Sequence, residues 1–323
     1  MKRIAVVGAG LAGLGVAWHL QKRSEVVLFD PQGVGGGASG VSTGLLHPFA
    51  GRRALRSWRA TEGMQATRAL LQVAENALGR PVAEHTGVLR LALSDAQRAD
   101  FQLRASEDPE AIWCESSDVL ARVPLAVKAG GLWIPSGIAV YSRSYLDGLW
   151  RACSAAGATL ERRSIHALHE LDAFDHIVLA TGSQTLQFAE CGALPLERVK
   201  GQTLLCRWPS KLPCSLIGSG HLTPTEDSAL CQIGSTYEHR FRDEAPDLAA
   251  RTYLREKAAA FYPPVKDFEV IEQRAAVRMA FQDRGAYRPL VAQVAPRAWV
   301  FTALGSRGLL YHALLGEHLA RLL

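Results

Sequence analysis

The feature that most constrains this chain is Gly8-x-Gly10-x-x-Gly13, set between a short apolar run, Ile4 to Val7, and a stretch where Leu11, Leu14, Gly15 and Trp18 recur at helical spacing. A second apolar run, Glu25 to Phe29, ends at Asp30. A strand, a glycine turn opening a helix, and a second strand ending in an acid about 20 residues on form the β-α-β unit that receives a dinucleotide. Gly8 and Gly10 let the backbone turn and approach a pyrophosphate, whose charge rests on the helix N-terminus with Leu11 and Ala12. Gly13 lets helix and strand pack closely. Asp30, with Pro31 after it, is expected to accept hydrogen bonds from ribose hydroxyls.

NAD and FAD share this fingerprint, and three further features choose FAD. A second glycine cluster runs from Gly35 to Gly44, a buried strand ends in Ala180-Thr181-Gly182, and a turn, Gly305-Ser306-Arg307-Gly308, opens a last helix at Leu309. A flavin needs a helix N-terminus beside its pyrimidine edge, because reduction leaves negative charge there. The helix starting at Gly308 is placed to provide it. Ala38, Ser39 and Gly40, then Gly44, Leu45 and Leu46, are expected to run from the pyrophosphate along the flavin ring, and His47 follows directly. His47 faces the substrate or packs under the loop; the sequence leaves both open.

Ser57 to Leu78 reads as a helix stopped by Gly79, and Ser144 to Gly157 as another; Ala158 to Glu161 and Asp175 to Ala180 read as strands. Gly87 to Leu93 reads as a strand, and Gly201 to about Glu272 is strand-rich around a helix near Leu248 to Phe261. The expected fold is α/β: a Rossmann-type FAD-binding domain of discontinuous segments (1–79, 139–199 and 289–323) plus an antiparallel-sheet α+β substrate domain (80–138 and 200–288).

Composition narrows the class further. The 323 residues are 48% hydrophobic and 21% charged, as in a soluble globular protein, and no apolar stretch approaches the ~20 residues of a membrane span. Glycines break the apolar run after Lys2-Arg3, so no signal peptide and a cytoplasmic location are expected. Six cysteines without a C-x-x-C pair read as free thiols. His166 and His169 form H-x-x-H on an apparent strand without further ligands, so no metal is expected. A net charge of +5, with Arg52, Arg53, Arg56 and Arg59 close together, is compatible with a solvated surface or an RNA partner.

The motifs GAGLAG at Gly8, GASG at Gly37, VLATGS at Val178, VKGQ at Val199, LTPTED before IGSTYE, and TALGSRGL at Thr302 occur in an order that resembles the FAD-dependent D-amino acid oxidase superfamily, which includes glycine and sarcosine oxidases. The resemblance spans nearly the whole chain. ALGSRGL is most similar to the oxidase part of the bifunctional tRNA wobble-uridine enzymes, which implies tRNA as a partner; their methyltransferase part has no counterpart in this sequence. The resemblance implies that Arg278, before Asp283 and Pro289, pairs with a substrate carboxylate, for which its planar fork is suited. No cysteine follows Cys231, which implies FAD held without a covalent bond. Tyr237, in IGSTYE, lines the pocket or fills the core, and its setting favours the core.

The implied reaction oxidises the C–N bond of a small amine carrying a carboxylate: a hydride leaves the carbon next to the amine for FAD, and the resulting imine hydrolyses. Two alternatives remain open at this point. One is a flavin-containing RNA-binding protein without turnover, using the arginines from Arg52 to Arg59. The other is an amine dehydrogenase that passes electrons to a carrier.

Overall fold

The computed structural model describes residues 1–282 and 288–323. Its first strand, Lys2–Val7, is buried from Ile4 onward and pairs in parallel with Ser24–Phe29 on one side and His176–Leu179 on the other. Apolar contact on both faces explains the unbroken Ile-Ala-Val-Val run, since a parallel strand covered by helices has no solvent side. The six-stranded sheet runs Thr159–Glu161, Ser24–Phe29, Lys2–Val7, His176–Leu179, Ala298–Thr302 and an antiparallel edge, Leu290–Ala295. Gly8, Asp30, Ala180 and Ala303 follow the carboxyl ends of four parallel strands and lie along one sheet edge. That is where open α/β sheets bind ligands.

One face of this sheet carries the helices Leu11–Leu20, Ala60–Leu78, Ser142–Ala155 and Gly308–Leu322 over a shared core that includes Leu14, Leu70, Leu149 and Leu319. The first and last helices touch through glycine: a Cβ on Gly316 would lie 2.7 Å from the Gly15 carbonyl carbon. The helix expected from Ser57 starts at Ala60 instead. Ser57 donates its backbone N–H to the Pro48 carbonyl (2.9 Å), closing the short hairpin Phe49–Ala50/Leu55–Arg56, and Arg59 takes a left-handed conformation that a helix cannot include.

A second sheet has eight strands, antiparallel apart from one parallel pair, Ser215–Ile217 with Val88–Leu91. Its longest members, Leu196–Arg207 and Glu269–Phe281, pair with Val199 opposite Arg278 and Gly201 opposite Ala276. The helix Leu248–Ala259 covers this sheet, capped by Asp247, whose side chain accepts from the Ala250 N–H (2.8 Å). A three-stranded sheet, Leu45–Leu46, Ile138–Val140 and Ala83–Glu84, also carries the segment before His47. His166 and His169 are not on a strand: the Glu170 carboxylate accepts from the His166 and Ala167 N–H groups and folds the segment into the 3-10 turn Leu168–Leu171. No group of three potential metal ligands occurs, and no helix is long and apolar enough to cross a membrane, among the described residues.

Candidate active site

A cavity of about 1380 Å³ runs from the carboxyl edge of the parallel sheet to the face of the eight-stranded sheet. It exceeds the ~300–1,000 Å³ of an ordinary small-ligand pocket, which leaves room for a dinucleotide and a substrate together. Gly8, Gly10, Leu11, Ala12, Asp30, Pro31, Ala38 and Ser39 line one end; Leu45, Leu46, Ala180, Thr181, Gly182 and the turn Gly305, Ser306, Arg307, Gly308 and Leu309 continue the wall. Gly13, Gly40 and Gly44 stand behind it. A Cβ there would strike the carbonyl oxygens of Gly8 (1.8 Å), Gly35 (2.2 Å) and Val140 (1.8 Å), so these three allow backbones to cross and present nothing to the cavity.

The Leu11–Leu20 helix opens at Gly10 without a side-chain cap, and a Cβ on Gly10 would lie 2.8 Å from Ser39 Oγ, which itself accepts from the Leu11 N–H (3.0 Å). This is a cradle with space only for backbone. Asp30 is fixed by the N–H groups of Ala9 (2.9 Å), Gln32 (2.9 Å) and Gly33 (3.1 Å), which leaves lone-pair capacity toward the cavity. The helix Gly308–Leu322 also starts at the cavity wall, again without a side-chain cap, and a Cβ on Gly308 would lie 3.0 Å from Leu11 Cδ1. These residues fit FAD, and no cysteine among the described residues lines the cavity.

At the far end Arg278 leaves the Glu269–Phe281 strand and lays its guanidinium across Gly201, whose Cβ, if present, would lie 1.7 Å from Nη2. Arg278 donates to the Thr236 carbonyl (2.9 Å) and, at the limit of hydrogen bonding, to Ser235 Oγ (3.4 Å). It has no carboxylate partner among the described residues; Asp283, expected just after it, lies outside them. Burial pulls its pKa down, opposed by Tyr237 and Glu238. The Tyr237 ring centroid lies 5.2 Å from the Arg278 guanidinium, and the side chain is 49% exposed on the cavity wall, so Tyr237 does not fill the core. Its neighbour Thr236 takes the buried side, where Oγ1 accepts from the Gln202 N–H (2.8 Å); successive residues of an extended chain face opposite ways, and Tyr237 turns outward.

His47 lines the cavity with a buried Nδ1 that has no hydrogen-bond partner. Burial, then Arg90, His221 and Arg307, hold it well below its usual pKa. Sequence reasoning missed two neighbours. His221 bonds Thr43 Oγ1 through Nε2 (2.7 Å) and is pushed to about 4 by burial, then by Arg278 and Lys257. Arg90, 7% exposed, donates to the carbonyls of Phe49 (3.0 Å) and Gly51 (2.6 Å), and burial lowers it to about 10. A lone arginine in the apolar run Gly-Val-Leu-Arg-Leu was the available signal for it. Of the arginines expected to meet RNA, Arg53, Arg56 and Arg59 are engaged by Asp100, by Asp108 and Glu110, and by Glu62, whereas Arg52 has no such partner among the described residues.

The glycine cradle at a helix N-terminus, the helix opening at Gly308 and an arginine without a carboxylate partner among the described residues together fit the site of a flavin-dependent oxidoreductase. The chain belongs to the FAD dependent oxidoreductase family DAO, whose pattern matches residues 3–322. It is 30% identical over 92% of its length to the tRNA 5-methylaminomethyl-2-thiouridine biosynthesis bifunctional protein MnmC of Burkholderia lata, and spans 49% of that relative. Among solved structures it is similar to glycine oxidase from Geobacillus kaustophilus (TM-score 0.86, 20% identity, 100% of this chain and 95% of that one). Iminodiacetate oxidase from Chelativorans sp. BNC1 is also similar (TM-score 0.82, 20% identity, 98% and 94%). The solved structures support the fold.

Proposed function

We propose that this flavoprotein oxidises the C–N bond of an amine that carries a carboxylate. The observation that carries this reading is Arg278, a guanidinium turned into the cavity with neutral oxygen partners alone among the described residues. A charge so placed is complete when an anion arrives, and a carboxylate receives it bidentately.

FAD, when bound, supplies a two-electron acceptor for the substrate carbon next to nitrogen. This chain's own residues bind and align. Arg278, braced by Gly201 on one side and the Thr236 carbonyl, fixes the carboxylate; Tyr237 covers the guanidinium from the open side. Holding reactants in near-attack geometry is worth ~7 kcal/mol or more. His47 and His221 are neutral at pH 7, so neither competes with Arg278 for the anion. Both are weak bases for the same reason, which suits a substrate amine that reaches the cavity already deprotonated.

Between a free amino acid and an amine attached to tRNA, the 30% identity to a protein of tRNA thiouridine biosynthesis favours the attached amine, a carboxymethylaminomethyl group on uridine. The test is anaerobic reduction of the bound flavin by glycine, sarcosine, D-amino acids and carboxymethylaminomethyluridine, free and within RNA. Bleaching by a member of this panel supports the reading. No bleaching by any of them overturns it.

A further inference from the structure

Two exposed arginines on the cavity wall, Arg52 and Arg288, have no carboxylate partner among the described residues. This is unlike the neighbouring Arg53, Arg56 and Arg59, each of which an acid neutralises. Arg52 lies in the turn between the paired segments Phe49–Ala50 and Leu55–Arg56. Trp58 follows that hairpin, lines the same cavity, and has the guanidiniums of Arg288 and Arg59 at 5.2 and 5.7 Å from its ring centroid, with the Tyr311 ring centroid at 6.0 Å. A simple amino acid such as glycine or sarcosine has one carboxylate for Arg278, and nothing more on it matches two further cations and an indole. A nucleotide does: its base has a π face for Trp58 and its phosphates have charge for the guanidiniums.

We infer that Trp58, Arg52 and Arg288 form a nucleotide-recognition site at the cavity wall, where the indole takes a base of single-stranded RNA and the two arginines take the phosphates beside it. The site deepens the reading of an RNA-borne amine and rests on it for its biological sense. Its test is separate from that of Arg278. Stacking on an aromatic tolerates any base, so this site contributes affinity and orientation, and the choice of substrate is left to the cavity beyond.

The experiment uses the FAD-loaded protein and an anticodon stem-loop RNA, unmodified for binding and carrying carboxymethylaminomethyluridine for flavin reduction. Arg52→Gln and Arg288→Gln are each expected to weaken stem-loop binding and to lower the slope of log Kd against log salt concentration by about 1. Trp58→Ala is expected to weaken binding by roughly tenfold or more, with Trp58→Phe recovering most of the loss. Flavin content, and flavin reduction by whichever free amine the wild type accepts, should stay at the wild-type level in all of these variants. Wild-type stem-loop affinity and salt slope in all three positions would overturn the site. So would an equal loss on RNA and on the free amine, which would mean a structural role. If no amine reduces the flavin, the oxidation reading fails while the binding measurements still decide this one.

Discussion

Arg278 and Gly201 are locked together: the guanidinium of one occupies the space a side chain on the other would need, with 1.7 Å between Nη2 and the position of the missing Cβ. Their strands are paired so that Gly201 faces Ala276 and Val199 faces Arg278, and the arginine therefore reaches diagonally across its neighbour. Gly201→Ala should expel the guanidinium from this path. The expected result is a fall of tenfold or more in kcat/KM for carboxylate substrates with unchanged flavin content; wild-type kinetics would show that Arg278 finds the same position by another route.

Removing the charge itself gives a larger effect. Loss of one partner of a desolvated charge pair costs roughly 2 to 5 kcal/mol, and each 1.36 kcal/mol is about tenfold in rate, so Arg278→Ala should lower kcat/KM by roughly 30-fold or more. Arg278→Lys should recover part of it, restoring charge without the bidentate fork. With an amide or ester of the substrate, wild type and Arg278→Ala should differ much less. Equal losses on acid and amide would move the carboxylate to another residue.

Gly10 governs the other end. A Gly10→Val side chain would occupy the space next to Ser39 Oγ, 2.8 Å from the position of the added Cβ, and block the approach to the Leu11–Leu20 helix. Purified Gly10→Val protein should be colourless with unchanged far-ultraviolet circular dichroism. A yellow protein with full flavin content would remove the cradle from the binding site.

Acid precipitation of the wild type should release FAD into the supernatant, because the six cysteines are buried elsewhere and none among the described residues lines the cavity. Flavin absorbance retained in the pellet would reveal a covalent link.

The histidines give two pH dependences of different origin. Between pH 7 and 9 His47 and His221 stay neutral, so flavin reduction by a free amine should rise with the fraction of neutral amine; a rate that falls over this range would place the titration on the protein. Stability responds at lower pH. His221 and His312 are pushed to about 4 in the folded protein against about 6.5 when unfolded, so the unfolded chain binds more protons between these values. Stability contributed by keeping them neutral is full above about pH 6.5 and is lost as pH falls toward 4. His221→Asn should flatten the fall of Tm across that window, and an unchanged slope would assign the acid sensitivity to other groups.

Much of the dinucleotide end was legible because its chemistry is local. Three glycines, a helix start and Asp30 lie within 23 consecutive residues, and Gly8 and Asp30 each directly follow the apolar end of a strand. The opposite end was legible at Arg278 through a motif, and opaque elsewhere because its walls are assembled across the sequence. Thr43 meets His221 at a separation of 178 residues, and neither has a local pattern that names the other. Tyr237 misled for a related reason: regular pairing of its strand ends at Gly234, and the inward position goes to Thr236 through a hydrogen bond that no hydrophobic pattern encodes.

The contact between the first and last helices has a consequence for biosynthesis. Residues 8–13 are made well before residues 303–309, which line the same cavity and lead into a helix seated against the first through Gly15 and Gly316. A chain whose synthesis has passed residue 13 and not yet reached residue 303 holds one part of this wall without the other. The cavity wall is therefore completed only when two segments far apart in the chain have both been made and docked.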